Sequence, residues 1–226
     1  MEIPNHIGII LDGNRRFAKK HGWKPWVGHD KGSEKFDQLF DWIIELKIPE
    51  LSLYCFSIQN FNSRPELEKK YLFDIFRREV KRLLTDEKIY KNKVKIRFVG
   101  RIYMFPKDMQ DLMNQVMKKT KTHNNHTVNF AMAYGGREEI VDTINKIIKE
   151  KQEITEESIQ KNLWVPEDMD IIIRTSGEFR TSNFFIWQAN YAELFFLEKY
   201  WPEFEKQDII NVIREFNKKR KRRFGK

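Results

Sequence analysis

Three charged side chains arrive within five residues in IGIILDGNRRFAKK. The apolar run Ile7 to Leu11 ends at Asp12 and continues through Gly13 and Asn14 into Arg15 and Arg16. Gly and Asn accept turn geometries that other residues resist. A turn into a helix start exposes backbone N–H groups that attract phosphate oxygens. Arginine adds bidentate donors suited to phosphate. Asp12 would repel phosphate unless a hard cation stood between them, and magnesium held by one carboxylate plus phosphate oxygens removes that conflict. The same residues also fit a helix N-terminus with an ordinary Asp–Arg pair.

A second stretch, RTSGEFRTSN, repeats the logic with Arg174, Arg180 and Ser182 as phosphate donors and Glu178 to orient an arginine. Two such segments imply two phosphorylated ligands or one long one, or else a salt-bridged loop. A third element is apolar. Within Glu66–Tyr90, Leu67, Tyr71, Leu72, Ile75, Phe76, Val80, Leu83 and Leu84 form a stripe at helical spacing. Such a stripe packs a core, or beside two phosphate sites it lines a tunnel for a hydrocarbon.

These segments need a scaffold. Compact apolar runs at Ile7–Leu11, Leu51–Phe56, Val94–Val99, Thr127–Ala133, Ile171–Arg174 and Leu194–Leu197 read as strands buried on both faces. Helical periodicity falls within Lys31–Leu46, Glu66–Tyr90 (as one long helix), the stretch after Gly136, and Glu205–Arg222. The alternation predicts a single α/β domain over residues 1–226, with a mostly parallel six-stranded sheet flanked by helices. In such sheets ligands bind beyond the carboxyl ends of the strands. DGNRR, FSIQNFNSR, AYGGRE and RTSGEFRTSN all follow strands and concentrate Gly, Asn, Ser and Arg.

Composition narrows the function further. The net charge of +9 sits at one end: the last ten residues, NKKRKRRFGK, hold seven Lys or Arg and no acid. The remainder carries 35 basic against 33 acidic residues, a nearly neutral body that argues against nucleic acid as partner. One cysteine, Cys55, excludes an internal disulfide and cysteine-clustered zinc. No phosphate-loop, dinucleotide, G-x-S-x-G or H-E-x-x-H signature is present. No signal pattern or spanning apolar run is visible, so a cytoplasmic protein is expected, with peripheral membrane contact through its basic tail.

Read together, HIGIILDGNRRFAKK, GHDKG, LYCFSIQNF, MAYGGREEI, IIIRTSGEFRTSNFFIWQANYAEL, WPEF and the terminal RRFGK resemble the cis-prenyltransferases. This is the family of undecaprenyl and dehydrodolichyl diphosphate synthases. The resemblance implies a hydrophobic tunnel, a homodimer or heteromer, and Mg2+-dependent condensation of isopentenyl diphosphate onto an allylic diphosphate of farnesyl or geranylgeranyl type. The product would be a long-chain polycis-polyprenyl diphosphate, a lipid-carrier precursor of undecaprenyl or dolichol type. By resemblance Asp12 holds the metal with help from Glu193, and Gly13, Asn14, Arg15, Arg16 and His29 bind the allylic diphosphate. Arg174, Arg180 and Ser182 bind that of isopentenyl diphosphate, and Asn60 assists proton removal between Ser57 and Phe61. Phe17, Gln59, Arg64 and Thr181 complete the implied substrate-binding set. The terminal Arg223 to Gly225 matches an R-x-G ending that reaches a neighbouring subunit, within a basic tail at 218–226.

Departures from the family pattern are local. Pro25 stands where many bacterial members carry an arginine, Gln59 replaces a common Glu, and Phe179 replaces a His. Either Ser63 or Arg64 fills the arginine position after Asn60. A noncatalytic partner subunit is disfavoured, because such partners lose the first-motif Asp and the RTSGE loop. No two aspartates are adjacent, so the aspartate-rich signature of trans-prenyltransferases is absent.

Overall fold

The structure is a computed structural model that describes residues 1–220, with side chains through Lys218. The expected R-x-G-like end lies outside the described residues. Six strands, β1 (His6–Ile10), β2 (Glu50–Ser57), β3 (Val94–Val99), β4 (His126–Tyr134), β5 (Ile171–Arg174) and β6 (Glu193–Phe196), form one sheet in the order β3-β4-β2-β1-β5-β6. Every pairing is parallel. The chain passes from β1 to β2 on one side, and β5 passes to β6 on the other. The β1/β5 boundary is therefore the switch point, where a crevice opens beyond the strand ends.

Alternation explains why the strands read as continuous apolar runs. Ile7, Ile9, Leu51, Leu53, Ile171 and Ile173 enter the larger core, while Ile10, Ala131 and Ile172 enter a smaller one with Met169, Phe184 and Phe185. Successive side chains point to opposite faces, and both faces are covered.

Helices α1 (Asn14–Lys20), α2 (Pro25–Leu46), α3 (Ile58–Ser63) and α4 (Glu66–Leu83) surround the crevice. The stretch read as one helix to Tyr90 is two. α4 stops at Leu83, and α5 (Glu87–Lys91) restarts after Asp86, whose side chain accepts the Lys88 N–H at 2.9 Å. An aspartate favours that capping role over a helix interior, and the new direction buries Ile89 completely. The helix expected from Lys31 begins earlier, with Pro25 in its first turn, where a missing N–H costs nothing. The last strand starts at Glu193, one residue before its expected start. α6 (Lys107–Thr120), α7 (Gly136–Lys149), α8 (Glu156–Asn162) and α9 (Lys206–Arg220) complete the α-helices among the described residues.

The first turn depends on close packing. Gly13 adopts φ 106°, and a Cβ there would meet Tyr200 Cδ1 at 2.7 Å. A Cβ on Gly28 would collide with the backbone carbonyl of Asn14, and one on Gly32 with the Asn14 side chain. α1 is thus seated on glycines of α2. Gly28→Ala forces these two backbones apart, so the protein should lose about 1–3 kcal/mol of stability, the usual cost of overpacking. Urea unfolding measures it; an unchanged midpoint would show that α1 does not rest on Gly28.

Candidate active site

β1 and β5 end side by side, with Ile10 opposite Arg174, and their next residues meet across the crevice. Arg174 donates from Nη2 to Asp12 Oδ2 at 2.8 Å, and from Nη1 to Ser182 Oγ at 2.7 Å and to the Arg180 carbonyl at 2.5 Å. Its side chain is 5% exposed. Asp12 Oδ1 accepts the Gly13 N–H at 2.7 Å and lies 3.3 Å from Arg16 Nη2. Burial pushes the Asp12 carboxyl up, but Arg174, Arg16 and the Gly13 N–H together hold it below its ordinary value. Arg16 also donates to Glu178 Oε1 at 2.8 Å and to Ser176. The backbone under Asp12 is clamped as well. Its carbonyl accepts from Thr175 Oγ1 at 2.6 Å and from the Trp201 N–H at 3.0 Å, while Trp201 Nε1 donates to the Gly32 carbonyl at 2.8 Å.

A second cluster faces this one from α2 and α4. His29 is buried, and its Nε2 lies 3.2 Å from Glu68 Oε1. Arg64 pairs with the same carboxylate oxygen, and Arg15 Nε approaches it at 4.0 Å. Burial lowers the His29 pKa despite Glu68, so its ring is neutral near pH 7. Glu68 is held down to about 2, first by the His29 hydrogen bond and then, against burial, by Arg64 and Arg15. Arg64 Nη2 reaches Asn60 Oδ1 at 3.5 Å, and the Asn60 N–H donates to Ser57 Oγ at 2.9 Å, capping α3.

Two cavities open between the clusters. One, of about 630 Å³, has Asp12, Asn14, His29, Asn60, Arg64, Arg174 and Arg180 toward its polar end. Phe36, Leu72, Ile75 and Phe76 line its apolar side. The other, of about 720 Å³, is bounded by Asp12 to Arg16, Lys19, Trp23, Pro25, His29 and Arg64. Behind Phe36, Cys55 and Phe76 lies a narrow apolar pocket of about 30 Å³, walled by Phe40, Val80, Leu83, Phe98, Phe130 and Met132. It holds little more than one water-sized volume, so an open tunnel is not seen.

The expected residues divide accordingly. Asp12, Gly13, Asn14, Arg15, Arg16, His29, Ser57, Gln59, Asn60, Arg64, Arg174, Arg180 and Ser182 line one cavity or both. Arg64 rather than Ser63 turns inward; Ser63 Oγ donates to the Gln59 carbonyl at 2.7 Å on the exposed side. Phe17 instead packs on His21 and Trp23, and Phe61 joins an aromatic cluster with Phe56, Phe73 and Phe105. Thr181 lends its carbonyl to the Phe184 N–H at 3.1 Å. Glu193 pairs in register with Ile171 at the amino end of the sheet, opposite the end that bears Asp12. One chain does not bring Glu193 to Asp12. Glu68, Thr175 and Trp201 were not singled out from sequence. Only Glu68 left a signal, its i,i+4 spacing from Arg64.

Among the described residues no group of three His, Cys, Asp or Glu side chains could hold a metal ion, and no helix is long and apolar enough to cross a membrane. Comparison with known proteins fits this geometry. Residues 10–225 match the prenyltransferase family model described as undecaprenyl diphosphate synthase. The tritrans,polycis-undecaprenyl-diphosphate synthase (geranylgeranyl-diphosphate specific) of Pyrococcus abyssi is 42% identical, over 99% of this chain and 88% of its own. The Methanopyrus kandleri protein of the same name is 41% identical, over 99% and 85%. Crystal structures agree. A probable undecaprenyl diphosphate synthase from Campylobacter jejuni superposes with TM-score 0.82 at 31% identity, covering 96% of each chain. Lavandulyl diphosphate synthase from Lavandula x intermedia, in complex with dimethylallyl diphosphate, gives 0.85 at 29%, covering 94% of each. With a match across nearly its whole length, this chain belongs to the undecaprenyl diphosphate synthase family and is a prenyltransferase.

Proposed function

We propose that the protein condenses isopentenyl diphosphate repeatedly onto an allylic diphosphate of geranylgeranyl type, giving a polycis-polyprenyl diphosphate of undecaprenyl class. The observation that carries this reading is the 630 Å³ cavity, cationic at the Asp12–Arg174 end and apolar between α2 and α4. A diphosphate suits the first end and a prenyl chain the second. The names of the archaeal relatives support the primer and product.

Arg15, Arg16, Asn14 and His29 line the allylic diphosphate bay, and Arg174, Arg180 and Ser182 that of isopentenyl diphosphate. The terminal alkene carbon of isopentenyl diphosphate attacks the allylic C1, whose C–O bond breaks and sends its electron pair to the departing diphosphate. Loss of a proton from C2 then forms the new double bond. Asn60, held to Arg64, is too weak a base to take that proton. It orients the alkene-bearing substrate while diphosphate oxygen accepts the proton. The arginines stabilise the negative charge that gathers on the leaving group.

The residues present also suit a magnesium ion. Five arginines (15, 16, 64, 174 and 180) and Lys19 against Asp12, Glu68 and Glu178 leave the site about three charges positive, too little for two diphosphates. Asp12 is a hard oxygen donor at the meeting of the two cavities, matching the one-carboxylate-plus-phosphate pattern of Mg2+. When bound, the ion would neutralise diphosphate charge and favour departure of the leaving group. Glu193 joins it only from a second copy. Such a copy would pair across the β6 edge, where Leu194 is exposed.

Purified protein with radiolabelled isopentenyl diphosphate, geranylgeranyl diphosphate and Mg2+ should yield butanol-extractable products, and a chelator should stop their formation. Asp12→Ala should lower turnover by at least about 100-fold, the scale seen when one preorganised charge-stabilising group is removed. No extractable product with any allylic primer sinks the reaction. A single condensation removes chain elongation.

Glu68 supplies a pH test. Its folded-state pKa lies below the usual carboxylate value, so its contribution to stability is fully present above about pH 4.5 and is lost as pH falls toward about 2. Unfolding midpoints of the wild type should therefore drop more steeply than those of Glu68→Gln below about pH 4.5. Parallel pH profiles would remove Glu68 as the ionised partner of Arg64 and His29.

A further inference from the structure

We propose that the rim of the cavity mouth, built by the α1–α2 turn and the first turn of α4, docks on an anionic phospholipid bilayer. The inference rests on the lipid product proposed above, which has to pass from a protein cavity into a membrane.

The rim exposes the wrong residues for a surface that only meets water. Trp23 is 42% exposed and Leu67 73%. Trp23 stacks on His21 at 4.7 Å at the edge of the outer cavity. Three residues later Trp26 meets the Tyr71 ring of α4 at 6.0 Å, and Leu67 lies one turn before Tyr71 on the same helix face. Trp26, Tyr71 and Leu67 therefore form a patch spanning both segments, with Trp23 on His21 three residues before it. Arg15 and His29, both reaching Glu68, tie the segments together beneath it.

Cations frame the patch. Lys19, Lys24 and Lys70 are exposed and meet no carboxylate among the described residues; Lys24 Nζ instead sits 5.2 Å over the Trp26 ring. The acids nearby are engaged: Glu66 with Lys69, Glu203 with Lys20, and Asp30 with Tyr71 and Arg78. Tryptophan favours the headgroup level of a bilayer. Lysine stems lie along apolar surface while their ammonium groups reach phosphate, and each lysine near an anionic surface adds attraction. Exposed apolar and aromatic groups ringed by unpaired lysines complement an anionic interface with an apolar interior, and disfavour a neutral or basic partner. Contact at this rim places the cavity mouth against the membrane, so a hydrocarbon product leaves without crossing water.

Co-sedimentation of the full chain with mixed phosphatidylglycerol–phosphatidylcholine vesicles tests this. Binding should appear with these vesicles, be weak with phosphatidylcholine alone, and fall by more than about tenfold in Lys24→Glu/Lys70→Glu, given the affinity each lysine supplies. Both lysines are exposed, so the fold is not at stake. Brominated lipid should quench tryptophan emission, and Trp23→Phe/Trp26→Phe should remove most of that quenching. A third variant changes the lysines and arginines from 218 to 222 to Gln. Failure to bind overturns the proposal. So does binding that this tail variant abolishes and the lysine variant leaves intact, or quenching that survives loss of both tryptophans. Turnover in detergent is measured apart: vesicle binding without turnover counts for the docking surface and against the proposed reaction.

Discussion

The guanidinium of Arg174, almost fully buried and shared between Asp12, Ser182 and the Arg180 carbonyl, is the interaction on which the site depends. Taking an arginine out of water costs several kcal/mol, and pairing it restores that cost without a large surplus. What the pair supplies is geometry. Arg174 ends β5 and Asp12 follows β1, so one planar cation fixes the loop after each strand relative to the other. Without it the two arginine-bearing segments would have no common register. The depressed Asp12 pKa has the same origin, and it keeps the carboxylate ionised for any cation it meets.

The rest of the fold brings this pair to a usable place. Parallel pairing of β1 with β5 at the point where the strand order reverses puts both segments over one crevice. Gly28 and Gly32 let α1 approach α2 closely enough to carry Arg15 and Arg16 over it. Thr175 and Trp201 hold the Asp12 carbonyl from opposite sides of the chain. His29, Arg64 and Glu68 form a second anchored cluster, in which a neutral imidazole and an ionised carboxylate keep one arginine in place. Charge on one wall thus faces charge on the other, with apolar side chains beyond both.

Much of this was legible in the sequence. Strands buried on both faces leave unbroken apolar runs, and all six were read, with ends displaced by one residue at most. The paired segments at residues 12–16 and 174–182 were visible because Gly and Arg follow an apolar run in both, at the strand ends where ligands of such sheets bind. Glu68 left only its i,i+4 spacing from Arg64, a weak signal, since an acid on an amphipathic helix ordinarily faces solvent. Its role comes from α2, which lies far away in sequence. The break before Asp86 was not visible, because Leu83, Leu84 and Ile89 keep the helical period across it. Glu193 was assigned to the metal by resemblance. The parallel register that makes β6 a partner of β5 is what sets it at the far end of the sheet from Asp12.

The apolar side of the cavity raises the question of how a growing chain finds room. Its deep pocket of about 30 Å³ is closed by Phe98 stacked on Phe130 at 5.3 Å, with Phe36 and Phe40 against the same ring. Phe98 and Phe130 stand on β3 and β4, where close packing resists displacement, while Phe36 and Phe40 belong to α2. The opposite wall is different. Along the α2–α4 seam, Asp30 meets Arg78 at 3.1 Å, Asp37 meets Arg82, and Asp41 meets Lys88 of α5 at 2.7 Å. All three pairs are partly exposed, and such pairs contribute only about 0–1 kcal/mol each. Separating the helices there breaks ion pairs that water readily replaces and carries Phe36 and Phe40 along with α2, whereas displacing Phe98 and Phe130 disrupts the sheet itself. The seam is therefore the yielding wall, and volume for a longer hydrocarbon is gained between α2 and α4 before it is gained from the sheet.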